Sequence, residues 1–341
     1  RQKLRASSCN LCASLCNSFC FLFATLLILF FSSQSSFAQK DSVAKRKFSE
    51  VLNIRGYVKD LRSLNFVKLD DLTPNNFIHN RLNFRYYATK NITAALEVRT
   101  RIFYGETVKN NPNYRQLVDI DNGLVDMSFV PVDKKAFLWH TIIDRGWVNY
   151  SHKKFDLRLG RQRINWGVNL VWNPNDLFNA YNFVDFDYEE RPGTDGVRLQ
   201  YYTSDFSSLE IAARPDEDID STVAAAMYKF NKWNYDFQFL GGNYYQDIAL
   251  GMGWAGNIGY AGFKGEATYF HPRKSLGDTT GVLSAAVSGD YAFRNQIYIH
   301  GSFLYNSNGL TKSNPLALFS LFTTTAISPK NLMPAKYNGF A

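Results

Sequence analysis

Basic and acidic side chains are concentrated in one stretch of the chain, residues 158–198. Three arginines come first, namely Arg158, Arg161 and Arg163. Four acidic residues follow about 20 positions later, namely Asp185, Asp187, Glu189 and Glu190. Basic groups on a wall that face acidic groups on a loop create a transverse electric field, which orders water and sorts solutes by charge. A rim loop held by exposed ion pairs, each contributing little, fits the same residues. The sequence leaves both interpretations open.

Three local patterns suggest ligand binding or catalysis but lack residues that this chemistry requires. The GMGWAG stretch matches a dinucleotide-binding pattern, yet it lies inside a predicted strand and opens no helix. Asp216, Asp218 and Asp220 have the spacing of a calcium loop, but Ser221 and Met227 stand where that loop needs Gly and Glu. The five histidines show no HExxH spacing, and no GxSxG motif is present. We therefore predict no cofactor, no metal site and no enzymatic activity.

Alternation of apolar and polar residues predicts the strands that position these side chains. In residues 92–104, Leu96 and Val98 share one face while Glu97 and Arg99 share the other. The same pattern predicts thirteen strands, with another starting near Lys336. Their bounds are 52–64, 77–89, 92–104, 139–151, 154–162, 195–203, 208–214, 221–230, 233–243, 247–258, 260–270, 281–291 and 295–305.

The lengths of the connections favour a membrane barrel over a soluble β-sandwich, although alternation alone fits both. Brief turns at 90–91, 151–154, 203–208, 231–232, 259 and 292–295 alternate with mostly long connections at 65–76, 105–138, 163–194, 271–280 and 306–335. Transmembrane barrels have short periplasmic turns, longer extracellular loops and aromatic girdles at strand ends. We predict an all-β fold, a transmembrane antiparallel up-and-down β-barrel of roughly 14–18 strands in the complete protein.

The strand phases assign individual side chains to the two faces of the predicted barrel. Arg85, Glu97, Arg99, Lys264 and Glu266 should face the lumen, while Leu96, Val98, Phe237 and Phe263 should face lipid. The phase of 154–162 places Arg158 in the lumen but Arg161 and Arg163 in lipid, at a cost of about 2–4 kcal/mol each near the midplane. Either these arginines lie at the rim or a bulge reverses the phase, and we expect a bulge at Gly160.

The first 38 residues have the features of a secretory signal peptide, which leaves 39–341 as one barrel domain. Three basic residues precede an apolar run at 19–31, and Ser36-Phe37-Ala38 provides a small-residue cleavage site. The run is shorter than the roughly 20 residues of a spanning helix. All four cysteines lie in this segment, and removing its three basic residues lowers the net charge from +8 to +5, too little to suggest nucleic-acid binding. Because the sequence stops just after a strand begins, we expect a C-terminally truncated barrel.

The stretches GRQRINWG, WNPNDLFN and DFDYEERPG resemble the outer-membrane porin-like barrels of Gram-negative bacteria that are related to the alginate-export type. These motifs cover about 40 residues. The resemblance implies an outer-membrane location. It also implies that Arg158, Arg161, Arg163 and Trp166 line or brace a channel and that the acidic loop faces them. It does not fix a substrate.

The expected function is a water-filled channel for passive passage of small polar or anionic solutes, with export of an acidic polysaccharide as a specialised form. A barrel-embedded hydrolase is one alternative and requires a Ser/His pair on adjacent inward positions. A structural or adhesive surface barrel is another and requires a plugged lumen. The expected partners are outer-membrane lipid and the solute. The sequence leaves open whether the chain forms a homo-oligomer and whether the 163–194 loop folds into the lumen.

Overall fold

The computed structural model describes residues 48–66, 72–121, 123–180, 193–275, 280–311 and 328–341. Its fifteen antiparallel strands form one sheet. They are β1 Leu52–Phe66, β2 Leu72–Tyr87, β3 Ile92–Gly105, β4 Ser128–Lys134, β5 Phe137–His152, β6 Phe155–Gln162, β7 Thr194–Ser204, β8 Ser207–Arg214, β9 Val223–Lys232, β10 Tyr235–Tyr244, β11 Asp247–Ile258, β12 Ala261–Pro272, β13 Val282–Ala292, β14 Tyr298–Asn306 and β15 Tyr337–Phe340. Short helices are α1 Phe48–Val51, α2 Glu106–Asn110 and α3 Tyr114–Val118, with 3-10 turns at Ile219–Ser221 and Arg273–Ser275. No described helix is long and apolar enough to cross a bilayer.

The strands pair in chain order, with β4 as the exception. β4 pairs with residues 137–142 of β5, and β6 pairs with residues 146–152 of the same strand. The wall beside β5 is therefore built from two chain segments placed end to end. In the described part of the chain, β1 and β15 are not paired with each other, so the sheet is not closed there.

The two faces of the sheet differ in polarity, as the alternation predicts. Leu96 is 40% exposed while the neighbouring Glu97 is 7% exposed, and Phe239 is 50% exposed while Gln238 is 1% exposed. The exposed face carries stacked aromatic rings such as Phe230 and Phe237, whose centroids lie 5.6 Å apart. A sheet that exposes its apolar face and buries its polar face is arranged for lipid outside and polar groups inside. We call the face with Glu97 and Gln238 the inner face.

The alternation predicts most strands well, and the all-β antiparallel sheet is confirmed. β4 was missed because Pro131 lacks a backbone N–H and the ladder shifts between Phe129 and Val132. The predicted turn at 231–232 lies instead at Trp233 and Asn234, both with positive φ. The long connection predicted at 65–76 is also wrong, because pairing of β1 with β2 extends to Phe66–Leu72.

Candidate functional site

Residues 163–180, which we call the interior segment, lie against the inner face of β8 to β14. Ile164, Trp166, Leu177 and Phe178 form one apolar cluster with wall residues of five strands. The wall residues are Ala212, Val223, Ala225, Met227, Leu240, Tyr244, Ala249 and Phe270. Because burial of these large apolar side chains is favourable, the cluster stabilises the inward fold of the segment. This half of the inner face is covered.

A second inward contact comes from residues 328–335, at the end of the β14–β15 connection. Leu332 packs with Val171 and Trp172 of the interior segment and with Ala286 and Leu304 of the wall. Polar contacts hold the same piece of chain at the strand ends. Lys330 Nζ lies 2.6 Å from the carboxylate of Asp247, and the Tyr244 hydroxyl lies 2.9 Å from Ser328 Oγ. Two segments therefore fill the space next to β8–β14.

Polar side chains connect the interior segment to the wall. Trp166 Nε1 donates to Glu210 at 2.7 Å, and Gln238 Nε2 donates to the carbonyl oxygen of Trp166 at 2.6 Å. Trp166 is thus a buried brace in the described structure, one of the two roles that the resemblance implies for it. Ser288 Oγ donates to Asn169 Oδ1 at 2.6 Å.

Glu266, predicted from the sequence to face the lumen, lies on the inner face but is only 1% exposed. Its Oε1 accepts from the backbone N–H groups of Val168 and Asn169, at 3.2 and 3.0 Å, and its Oε2 accepts from Asn175 N–H at 3.0 Å. The carboxylate therefore faces the interior segment rather than open space. Lys264, two residues earlier on the same face, is half-buried and lies 3.8 Å from Asp290.

The glycines of the GMGWAG stretch have a packing role. A Cβ atom on Gly251 would lie 2.9 Å from Asn175 Oδ1, and one on Gly253 would lie 3.0 Å from Asn175 Nδ2. These approaches are closer than a side chain tolerates, so both positions leave room for the interior segment. Asn175 fills that room, where it accepts from Thr268 Oγ1 at 2.6 Å and donates to the Met252 carbonyl oxygen at 3.0 Å.

The other half of the inner face carries a buried network of charged side chains. Arg81 contacts Glu97 at 2.7 Å and Asp144 at 2.6 Å. Arg99 also contacts Asp144, at 3.0 Å, and Arg145 contacts Glu97 at 3.2 Å. Three arginines thus meet two acids. The register of β3 with β5 shifts at Asp144, so Asp144 and Arg145 both reach the inner face.

A second basic group lies nearer the short turns. Arg85 and Arg158 flank the ring of Trp147, with guanidinium carbons 6.0 and 4.2 Å from its centroid. Arg158 Nε donates to Asn149 Oδ1 at 2.9 Å. Within the described ranges, neither arginine lies at ion-pair distance from a carboxylate. Their charges can therefore act on a solute.

Arg161 is neutralised locally and does not join this basic group. Its guanidinium binds Asp195 through two hydrogen bonds of 2.8 and 2.9 Å and Asp121 through one of 2.7 Å. The carbonyl oxygens of Ile143 and Val125 accept two more, so all five N–H groups have partners. The positive charge of Arg161 is therefore compensated by the carboxylates of Asp121 and Asp195.

The bulge that we predicted at Gly160 is wrong. The ladders of β6 with β5 and with β7 run through Gly160 without a register shift, although its φ is 110°. By strand alternation, Arg161 therefore belongs to the opposite face of the sheet from Arg158. Because Asp121 and Asp195 neutralise its charge, Arg161 avoids the cost of an unpaired charge without a bulge. Arg163 is half-buried just after β6. The predicted opposing acids, Asp185, Asp187, Glu189 and Glu190, lie outside the described residues.

One Ser/His pair bears on the hydrolase alternative. Ser128 Oγ lies 2.8 Å from His140 Nε2 and donates to Asp119 Oδ1 at 2.5 Å. Arg101 Nη2 lies 3.2 Å from His140 Nδ1. Because a guanidinium only donates, Nδ1 must accept, and a neutral ring then carries its proton on Nε2. A nucleophilic serine needs a hydroxyl that donates to an unprotonated histidine nitrogen, so this geometry does not favour catalysis.

Sequence reasoning missed Arg81, Asp144 and Arg145. The alternation of β2 places Arg81 on the same face as Arg85, so its inward position was available from the sequence. The inward positions of Asp144 and Arg145 depend on the β5 bulge, for which the sequence has no local signal.

No family model matches the chain. No curated protein sequence matches it either. Among solved structures, it is similar to OccK11 (OpdR) of Pseudomonas aeruginosa at 11% identity and a TM-score of 0.43, with 75% of this chain and 62% of that chain covered. It is also similar to the outer membrane protein OprD of Pseudomonas aeruginosa, at 8% identity and a TM-score of 0.42, with 75% and 56% covered. OccAB3 of Acinetobacter baumannii matches at 11% identity and a TM-score of 0.42, with 76% and 67% covered.

The chain spans less than two thirds of the length of the first two of these structures. The described sheet itself is antiparallel and up-and-down, with an apolar outer face and a polar inner face. Such a sheet is the wall of an outer-membrane-type β-barrel.

Proposed function

We propose that the chain forms a passive channel for small polar or anionic solutes in the outer membrane of a Gram-negative bacterium. The supporting observation is the unequal charge of the inner face. From β2 to β8 this face carries eight arginines and five acids, namely Arg81, Arg85, Arg99, Arg101, Arg145, Arg158, Arg198 and Arg214 against Glu97, Asp133, Asp144, Asp156 and Glu210. The interior segment covers most of the remaining inner face.

An excess of basic groups in a confined space raises the local concentration of anions, because low-dielectric walls focus the field. Arg85 and Arg158 should contribute most, since neither is paired with a carboxylate in the described chain. Arg198 contributes less, because its Nε lies 2.9 Å from Glu210. This proposal includes secretion through a signal peptide at 1–38 and lipid contact around the barrel domain 39–341.

The plugged structural barrel is the second candidate, and one observation favours it. The interior segment and residues 328–335 meet at Trp172 and Leu332 and fill the space beside β8–β14. If that filling extended across the interior, no solute could pass. A hydrolase has weaker support, because the Ser128 hydroxyl donates to Asp119 rather than to His140.

Reversal potentials in a planar bilayer test the proposal. The parent protein should conduct and prefer anions under a salt gradient. Replacing Arg85 and Arg158 together with Gln should shift the reversal potential toward cation preference, because the unpaired positive charges are removed. Arg62→Gln is the matched control, because Arg62 is exposed on the opposite face and pairs with Asp60.

The conductance of the parent, the reversal potential of the double variant and block by added solutes test three separate parts of the proposal. A folded parent without conductance would contradict the channel and favour the plugged barrel. Conductance with an unchanged reversal potential in the double variant would contradict the anion preference. Current block by a monomeric uronic acid but not by its polymer would support small solutes over polysaccharide export, and the reverse result would support export.

A further inference from the structure

We infer that Glu266 is a positioning residue that sets the width of the channel by holding the interior segment against the wall. The inference rests on the proposed function. Three backbone N–H groups of the segment converge on this carboxylate, from Val168, Asn169 and Asn175. In the described part of the chain, all hydrogen bonds of Glu266 go to this segment.

The three donors come from two separate points of the chain, and this distinguishes Glu266 from the other contacts. Oε1 holds the first point, at 168–169, and Oε2 holds the second, at 175, so the residues between them form a loop closed on one side chain. That loop carries Val171 and Trp172, which pack against Ala286, Leu304 and Leu332. Its position therefore decides how far bulky apolar groups extend from the wall.

Four further hydrogen bonds from the wall to Asn169 and Asn175 come from uncharged groups, and each of them holds only one of the two points. Ser288 and the Ala286 carbonyl oxygen contact the Asn169 side chain, while Thr268 and the Met252 carbonyl oxygen contact the Asn175 side chain. Among the described wall side chains, Glu266 is the one that accepts hydrogen bonds from both points, through its two carboxyl oxygens. Removal of the carboxyl group would leave the buried N–H groups of Asn169 and Asn175 and the half-buried one of Val168 without their acceptor, which is costly. We therefore expect residues 168–175 to move away from the wall when the carboxyl group of Glu266 is removed.

The test compares Glu266→Ala with Glu266→Gln and with the control Asp236→Asn. Asp236 lies on the inner face of β10 and bonds Asn231, away from the interior segment. We expect Glu266→Ala to change single-channel conductance by roughly twofold or more and to add open-channel noise, because the constriction is no longer fixed. The Gln variant should give an intermediate change, since its amide keeps one acceptor oxygen but presents N–H groups to the other point. Asp236→Asn should keep the parent conductance.

Folding is checked separately by resistance of the barrel to unfolding in detergent. A conducting parent with folded Glu266→Ala of unchanged conductance and noise would overturn the inference but leave the channel intact. If the Ala variant fails to fold, the isosteric Gln variant decides, and parent-like current would overturn the inference in the same way. A parent that does not conduct would instead overturn the proposed function on which the inference rests.

Discussion

Two neighbouring arginines of β6 show that the same residue type serves different purposes. Arg161 has all five N–H groups bound, to Asp121, Asp195 and two carbonyl oxygens. Arg158 makes one hydrogen bond, to Asn149, and stacks on Trp147. Saturated donors hold structure, whereas a partly used guanidinium can attract a passing anion. The charge alone, as read from the sequence, does not separate these roles.

We predict that Arg161→Gln lowers the free energy of unfolding by about 3–5 kcal/mol, because it leaves the buried carboxylates of Asp121 and Asp195 unpaired. Arg158→Gln should cost about 0.5–2 kcal/mol, the size of one cation–π contact. Urea unfolding followed by tryptophan fluorescence measures both. If the two variants lost the same free energy of unfolding, the ion pairs of Arg161 would not contribute more to stability than the contacts of Arg158.

At the scale of elements, the sequence predicts strands far better than it predicts contacts between the wall and the interior. Strand alternation is local, and β11 has the bounds that its pattern predicts. The interior segment has no such periodicity, and its position depends on residues far along the chain, including Glu210, Gln238 and Glu266. The concentration of motifs in 158–198 marked the stretch as unusual, but local sequence contains no information on which strands it would cover.

Asp220 joins two loops at the end of the sheet opposite the short turns. Its carboxylate accepts from Lys274 Nζ at 2.8 Å and from Arg273 at 2.5 Å. The hydrogen bond and charge of Lys274, with a smaller contribution from Arg273, hold the pKa of Asp220 below its ordinary value of 3.8. A lowered folded-state pKa means that this contact is fully present above pH 3.8 and is lost as pH falls through the lowered pKa.

We therefore predict that a spin label at Glu217→Cys, in the loop that contains Asp220, keeps its mobility from neutral pH down to the ordinary aspartate range. Mobility should rise only below that range, when Asp220 takes up a proton. With Asp220→Asn as the control background, the label should be mobile at every pH. A rise that begins near neutral pH in the parent background would contradict this assignment of the contact.

At the scale of the whole molecule, the inner face is divided between two uses. β8–β14 support the interior segment through apolar packing and hydrogen bonds, while β2–β7 present the arginine groups. The outer face is apolar along both halves, as in Phe239 and Leu96. In the proposed channel, a solute would pass between a wall lined with arginines and a wall covered by the interior segment.

Cysteine labelling tests this division, because all native cysteines lie within residues 9–20. We predict that a membrane-impermeant thiol reagent reacts with Arg85→Cys and Lys264→Cys in lipid vesicles, since the lumen of the proposed channel is filled with water. Phe237→Cys and Phe263→Cys, on the outer face, should react only after detergent extraction. Reaction at the outer pair alone in intact vesicles would reverse the faces and end the barrel assignment.

The separation of the two halves has a consequence for how such a protein diversifies. The contacts that hold residues 168–175 to the wall come from β11–β14, so side chains such as Arg85 and Arg158 on β2 and β6 are not needed for that packing. Mutations that alter the proposed solute preference can therefore accumulate on β2–β7 without a matching change on β11–β14. A related protein could thus evolve a different solute specificity by substituting a few inward-facing residues of β2–β7, while its interior segment keeps the same position against the wall.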